Sequence, residues 1–268
     1  MLRYFTSLFV IWGASGFLLS QSKPIDLQPK DTTVYNQPYG IRVGIDLSRP
    51  LVSFLQDNYT GFEIVGDYRL GQKLYLAAEL GNEKKNIVEE LGGEMVPNNG
   101  QLYDFTVSGS YIKLGVDLNT YDNWYGMNNS IFAGGRLAFA SFNQTVNNFR
   151  YYNSNRYWSP NEFALGSDQE QEFSGLSATW LEFVFGTKVE LFANIYLGAS
   201  VRLGFLLSNS EPDPDEFKNL FIPGFNKVTE GSNFGVGYNF SISYLIPLYK
   251  KTKKSREDES TPAEIEQQ

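Results

Sequence analysis

The chain has 268 residues, with 22 basic against 30 acidic side chains for a formal net charge of −8, and it contains neither cysteine nor histidine. Without Cys there is no disulfide framework, thiol nucleophile or lipid-modified N-terminal Cys; without His, Ser-His-Asp and Cys-His catalysis, His-ligated zinc and the usual proton shuttle are excluded. The acidic balance argues against nucleic acid as a partner, and an aromatic content of 16% is too rich for a disordered chain.

The first segment reads as a targeting signal. Arg3 gives a positive start, residues 4–19 are mostly apolar, and Leu18-Leu19-Ser20-Gln21 suits cleavage, which assigns 1–20 to a signal peptide. A retained anchor is the alternative, but the run is shorter than the ~20 residues of a transmembrane helix. Residues 21–39, with Pro24, Pro29 and Pro38, are a polar extended lead-in.

From residue 40 the hydrophobic period becomes two, the spacing of strands. Residues 40–47 set Ile41, Val43, Ile45 and Leu47 against Arg42, Gly44 and Asp46. Residues 60–70 set Phe62, Ile64, Gly66, Tyr68 and Leu70 against Glu63, Val65, Asp67 and Arg69. Gly71-Gln72 is a hairpin-type connection to a third strand, 73–81, where Leu74, Leu76, Ala78 and Leu80 oppose Tyr75, Ala77 and Glu79. Residues 82–101 read as a long polar loop. In the fourth strand, 102–118, Tyr103, Phe105 and Val107 lead one parity and Ile112, Leu114, Val116 and Leu118 the other, which predicts a β-bulge near Gly109-Ser110.

The fifth strand, 130–142, carries Ile131, Ala133, Gly135, Leu137 and Phe139 opposite Gly134, Arg136 and Ala138, and the longest loop is expected over 143–177. The sixth, 178–190, sets Leu181, Phe183 and Phe185 against Glu182, Gly186, Lys188 and Glu190. The seventh, 195–206, sets Leu197, Ala199, Val201, Leu203 and Phe205 against Tyr196, Gly198, Ser200 and Arg202. A proline-containing loop leads to the last strand, 234–249, where Phe234, Val236, Tyr238, Phe240, Ile242 and Tyr244 alternate with Gly235, Gly237, Asn239, Ser241 and Ser243. That run suits a tilted membrane strand of ~9–11 residues better than an average soluble one. Residues 250–268, basic then acidic, read as a disordered charged periplasmic tail.

Connections after the second, fourth and sixth strands are short and the others long, as in outer-membrane barrels. The sequence therefore predicts an all-β fold: an eight-stranded antiparallel up-and-down transmembrane β-barrel over 40–249, in the outer membrane, with both termini periplasmic. Such a barrel is just wide enough for its own side chains. Its predicted interior charge network is Arg42, Asp46, Glu63, Asp67, Arg69, Glu79, Lys113, Asp117, Arg136, Glu182, Lys188, Glu190 and Arg202. Buried charges need partners, so compensated clusters are expected. The main alternative turns the faces inside out, giving a soluble periplasmic ligand-binding barrel or sandwich. Aromatics near strand ends (Phe62, Tyr68, Phe139, Phe234, Tyr244) argue for membrane girdles instead.

On the segments YGIRVGIDLSRP (39–50), TGFEIVGDYRL (60–70), LYLAAELG (74–81), GSYIKLGVDLN (109–119) and FGVGYNFSISYLIPLYKK (234–251), the chain resembles small outer-membrane β-barrels of the OmpX/OmpA-transmembrane type, nearest to uncharacterised Bacteroidota barrel families. The resemblance implies a Gram-negative envelope, outer-membrane lipid as surroundings and the barrel assembly machinery as a partner in biogenesis. It implies no activity. Such barrels end their last strand with an aromatic near the chain end, whereas Tyr249 is followed here by nineteen residues.

The longest loop carries Arg150, Tyr151, Tyr152, Arg156, Tyr157 and Trp158. Aromatics interleaved with Arg can stack on sugars or anchor proteins, which makes an extracellular protein or glycan the candidate ligand class; the favoured reading is a strand extension whose rings pack on each other. The acidic tip 211–216 has oxygen ligands but not the glycine and spacing of an EF-hand loop, and reads as a proline-stiffened loop. Lys250, Lys251, Lys253, Lys254 and Arg256 face either solvent or anionic headgroups. Charges occur on many strands with no carboxylate pair standing apart. The expectation is a non-catalytic structural or surface-interaction protein, not an enzyme, with no cofactor and no metal; a narrow pore is the alternative.

Overall fold

The computed structural model describes residues 36–90, 101–121, 128–152, 163–167, 169–192, 194–212, 219–228 and 232–252, all within the compact unit Tyr35–Gln268. In chain order these form β1 (Asn36–Asp46), α1 (Ser48–Leu55), β2 (Tyr59–Arg69), β3 (Leu74–Glu90), β4 (Gln101–Asn119), β5 (Ser130–Tyr152), β6 (Phe163–Ser167), β7 (Gln171–Phe192), β8 (Ile195–Asn209), β9 (Phe221–Ile222), β10 (Asn226–Lys227) and β11 (Phe234–Thr252). Eight strands make the wall: β1 to β5, β7, β8 and β11, each antiparallel to its neighbours, with β1 closing against β11. The predicted eight-stranded up-and-down topology is the observed one. Short β6 pairs with the far end of β5, and β9 with β10 forms a separate hairpin.

The ladder fixes the shape of the closure. From Tyr244 the register passes through Val43, Gly66, Ala78, Leu114, Leu137, Leu181 and Phe205, and returns to β11 at Phe234, ten residues from its start. Eight strands with that stagger, at ~3.3 Å per residue and ~4.8 Å between strands, give a tilt of about 41° and a radius of about 8 Å. Each residue then climbs about 2.5 Å along the axis, and each strand step about 3.1 Å.

The large side chains on that circuit are all exposed, part of an apolar outer belt. In this geometry Leu74, Ile131, Val189 and Tyr244 lie within about 2 Å of one level, and Ile112, Leu181, Phe139 and Phe205 about 18–22 Å above it. All eight are exposed. One step further along the same faces stand Ser110, Thr179 and Ser141, which end the belt on β4, β7 and β5, while β8 carries one more exposed apolar residue, Leu207. Among the described residues no helix is long and apolar enough to cross a membrane, which says nothing about strands.

Several strands run further than the sequence suggested. Residues 82–90 continue β3, 143–152 continue β5 and 171–177 begin β7, where loops were expected; β1 starts at Asn36 and β11 ends at Thr252. The predicted bulge at Gly109-Ser110 is absent. Both ladders of β4 run unbroken through these residues, and the one with β5 shifts instead between Asp104 and Phe105. Phe105, Val107, Tyr111, Lys113, Asp117 and Asn119 are all buried and share one parity. Apolar residues change face at the belt edge while the register stays constant. Below the edge the apolar side points out; above it, Phe105, Val107, Phe142, Val146, Leu176, Trp180 and Leu206 point inward as one core. A period-2 pattern alone cannot separate such an exchange from a slip.

The long connection between the first two strands contains α1. Pro50 sits in its first turn, where a missing N–H costs nothing. The Asp46 carboxylate accepts the Ser48 N–H at 2.8 Å and its hydroxyl at 2.7 Å, anchoring the helix start to the last residue of β1.

Candidate functional site: an ion-paired and closed interior

Near the short turns the interior is floored by Arg69, which donates to Gln37 Oε1 at 2.6 Å and to the Gly71 and Gln72 carbonyls, and lies 4.4 Å over the Tyr39 ring. Above it Asp67 takes Arg42 at 2.7 Å and Lys188 at 2.6 Å. The Arg42 guanidinium sits between the Tyr75 and Tyr196 rings, 4.9 and 5.0 Å from their centroids.

At mid-barrel Arg202, reaching in from β8, pairs with Glu79 of β3 and stands 3.6 Å from Glu63 of β2 and 3.7 Å from Glu182 of β7. Arg136 of β5 bridges Asp117 at 2.7 Å and Glu79 at 3.4 Å. Lys113 of β4 reaches Glu182 at 2.7 Å, and the same carboxylate oxygen accepts the Trp180 indole N–H at 2.7 Å. Six wall strands thus meet in one network. Such burial is tolerable because each charge has a partner within contact; removing one partner of a buried pair costs about 3–5 kcal/mol.

The far mouth is closed from two directions. Arg49 of α1 reaches inward to Glu83 at 2.7 Å, and Tyr59 donates to the same carboxylate at 3.1 Å. From the other side the β9–β10 hairpin drops into the mouth, burying Phe221, Ile222, Pro223, Gly224 and Phe225. Phe225 packs edge-on against Trp180 at 5.7 Å. Gly224 is clamped at both ends: its N–H donates to Glu83 Oε2 at 3.0 Å, and its carbonyl accepts from Lys113 Nζ at 2.9 Å. Its φ is +80°, and a Cβ there would lie 2.6 Å from the Tyr111 ring, so only glycine fits. At the hydroxyl end of that ring, a Cβ at Gly81 would come within 2.2 Å. Tyr111 meanwhile donates its hydroxyl to Glu63, tying the plug to the network.

Among the described residues the interior holds a cavity of about 30 Å³ beside Arg42, Asp67, Glu79, Arg136, Lys188 and Arg202, and a smaller one of about 10 Å³ beside Arg69, Tyr75 and Tyr196. The larger has room for one or two waters. Chemically, these acids are engaged rather than poised: guanidinium, ammonium, phenol, indole or backbone N–H groups lie on most of their oxygens, while the buried Glu182 Oε2 accepts no hydrogen bond and stands 3.7 Å from Arg202. Among the described residues no group of three or more acids could hold a metal ion.

All thirteen charges assigned to the interior lie on inward-facing positions. Eleven are buried, while Lys188 and Glu190, nearer the short turns, are only partly so. The sequence reading missed Glu83 and Arg49. Glu83 carries a visible signal, since it shares the parity of Glu79 once β3 is allowed to continue. Arg49 carries none, because its helix interrupts the strand code. Of the aromatic–arginine loop, Arg150, Tyr151 and Tyr152 belong to the end of β5, but their side chains lie outside the described residues, as do Arg156, Tyr157 and Trp158 entirely. Asp213 to Glu216, Lys253, Lys254 and Arg256 also lie outside them, while Lys250 and Lys251 are exposed at the end of β11.

A family model described as a domain of unknown function, DUF6048, matches residues 1–251. The chain belongs to this family. No curated protein and no solved structure matches it. The family spans the N-terminal segment, all eight wall strands and the plug, and stops within the last turn of the ladder, where Lys251 pairs with Gln37.

Proposed function

We propose that this DUF6048 protein is an outer-membrane β-barrel of the small OmpX/OmpA-transmembrane type, with a structural, non-catalytic interior, acting through its far end at the cell surface. The observation that carries this reading is the exposed apolar belt that closes round the whole wall from Tyr244 to Phe234. Its height of about 20–25 Å fits the ~25 Å apolar band of outer-membrane barrels. In water the same belt would expose Leu76, Leu114, Leu137, Phe183 and Val201 at 45–59%, far more contiguous apolar surface than a soluble monomer carries.

The interior supports a sealed barrel over a pore. An open path needs a continuous aqueous lumen, and here cross-barrel ion pairs and the Gly224 hairpin cross the interior beside small cavities of about 30 and 10 Å³. The non-catalytic reading rests on the same pairing, since a general base or nucleophile needs a free face toward a substrate. Recognition then falls to the far end, where β3, β4, β5 and β7 run about ten residues beyond the belt, and where a protein or glycan is the ligand class. Both ends of the described wall, Asn36 and Thr252, lie at the opposite, periplasmic mouth.

The test is membrane fractionation followed by gel electrophoresis with and without boiling. A faster-migrating unboiled band in the outer-membrane fraction is expected. A single band in the soluble periplasmic fraction would overturn the membrane reading, and stable unitary currents in planar bilayers would overturn the sealed interior.

A further inference from the structure

β1 is too short for its place in the wall. Its pairing ends at Ile45–Ile64 on one side and Asp46–Ser241 on the other, while β2 continues to Tyr59 and β11 to Phe234. In the axial geometry above, this leaves a gap from about 11 to about 24 Å over the lower belt edge, the upper half of the belt. An unpaired edge of that length would expose backbone donors and acceptors of β2 and β11.

α1 fills the gap. The Ser53 hydroxyl accepts the Gly61 N–H of β2 at 2.8 Å, and the residue before the helix, Leu47, donates its N–H to the Phe240 carbonyl of β11 at 2.6 Å. Arg49, on the same side of the helix as Ser53, points into the lumen and pairs with Glu83 at 2.7 Å. At 100° per residue, Leu51 stands about 200° from Arg49, with Phe54 and Leu55 on either side of it. These three are 57%, 86% and 71% exposed. Their neighbours on the flanking strands, Phe62 and Phe240, are outward-facing belt residues.

We infer that α1 is a wall element that contacts the membrane, replacing the missing end of β1 and presenting Leu51, Phe54 and Leu55 to the acyl chains of the outer leaflet near the headgroup boundary. This rests on the outer-membrane reading. The occupant follows from continuity and polarity. The helix has its sole charge, Arg49, on the lumen side and its apolar side outward, the same polarity as each wall strand in the belt. A helix standing in water beside a core would have the opposite arrangement. At ~1.5 Å per residue the eight-residue helix is about 12 Å long, close to the ~13 Å height of the gap.

The chain has no cysteine, so single-site labelling needs no background removal. Full-length F54C, L114C and S108C are spin-labelled, refolded into phosphatidylethanolamine/phosphatidylglycerol vesicles and scored for collision with oxygen, which concentrates in lipid, against a water-soluble nickel chelate. Leu114 marks the belt and Ser108 the outward face above it. The expected result is a several-fold excess of oxygen over nickel accessibility at position 54, as at 114 and opposite to 108. L51C repeats the measurement should F54C fail to fold. If positions 54 and 51 behave like 108 while 114 is in lipid, the helix faces water or a protein partner and the inference is overturned with the membrane reading intact. If 114 itself is nickel-accessible in the folded protein, the membrane reading fails and takes the inference with it.

Discussion

Replacing Arg202 by Met tests the claim that the interior is held by compensation. The guanidinium pairs with Glu79 and lies 3.6 Å from Glu63 and 3.7 Å from Glu182. Met roughly conserves the aliphatic volume but leaves three carboxylates to share Lys113 and Arg136, with Arg49 3.9 Å from Glu63. Breaking one buried pair in this way costs about 3–5 kcal/mol, roughly two to four powers of ten in the folded-to-unfolded ratio. With a urea slope of ~1–3 kcal/mol/M, the unfolding midpoint should fall by at least ~1 M. The assay is urea-dependent loss of the unboiled gel band, or of tryptophan fluorescence, in vesicles. The double variant R202M/E79M removes the leading pair together, and Arg136 keeps Asp117 at 2.7 Å. A coupling energy of up to ~3 kcal/mol is therefore expected between the two sites. Unchanged stability in R202M, or strict additivity in the double variant, would refute the argument that pairing holds the lumen together.

Three further outcomes follow from the geometry. Gly224→Val forces a side chain into the Tyr111 ring at a φ of +80°, so the plug should be destabilised by about 1–3 kcal/mol, read as faster amide exchange confined to 219–228; unchanged exchange would contradict the packing. Replacing 219–228 by a Gly-Ser linker should still give no unitary current, because the mid-barrel pairs close the lumen below the plug; a stable current would show that the hairpin alone seals it. Leu114→Arg, about 13 Å above the lower belt edge, should cost about 2–4 kcal/mol in vesicles, and Ser108→Arg, above the belt, within about 0.5 kcal/mol; equal effects would argue against a belt in lipid.

The legible part of the fold follows from local periodicity. β2, β8 and β11 alternate cleanly because one medium lies on each side along most of their length, so parity assigned Glu63, Arg202 and Asn239 to the lumen directly. β4 does not, since its neighbours change along its length. Phe105 and Val107 seek a dry core inside the upper barrel, while Ile112 to Leu118 occupy the belt outside the lower barrel. Read without that environment, the exchange resembles a bulge. The strand extensions 82–90 and 143–152 were missed for a related reason. Above the belt their outward positions are mostly polar, with Asn82, Lys84, Asn86, Asn143, Thr145 and Asn147, a composition that also describes loops, and only pairing across β3, β4 and β5 distinguishes them.

By itself, the sequence determined the number of wall strands, their order and the inward position of the thirteen charges, because side-chain parity is a one-dimensional property that survives any correct pairing. Tertiary structure alone decided who compensates whom. The partners Arg202 and Glu79, Lys113 and Glu182, and Arg136 and Asp117 lie on different strands, and a ten-residue stagger round the closed ladder sets which of them share a level. It also decided the closure of the far mouth. Arg49 and Gly224 meet Glu83 from an interrupting helix and a loop hairpin, where no strand period applies, and only the width and tilt of the finished barrel bring them together.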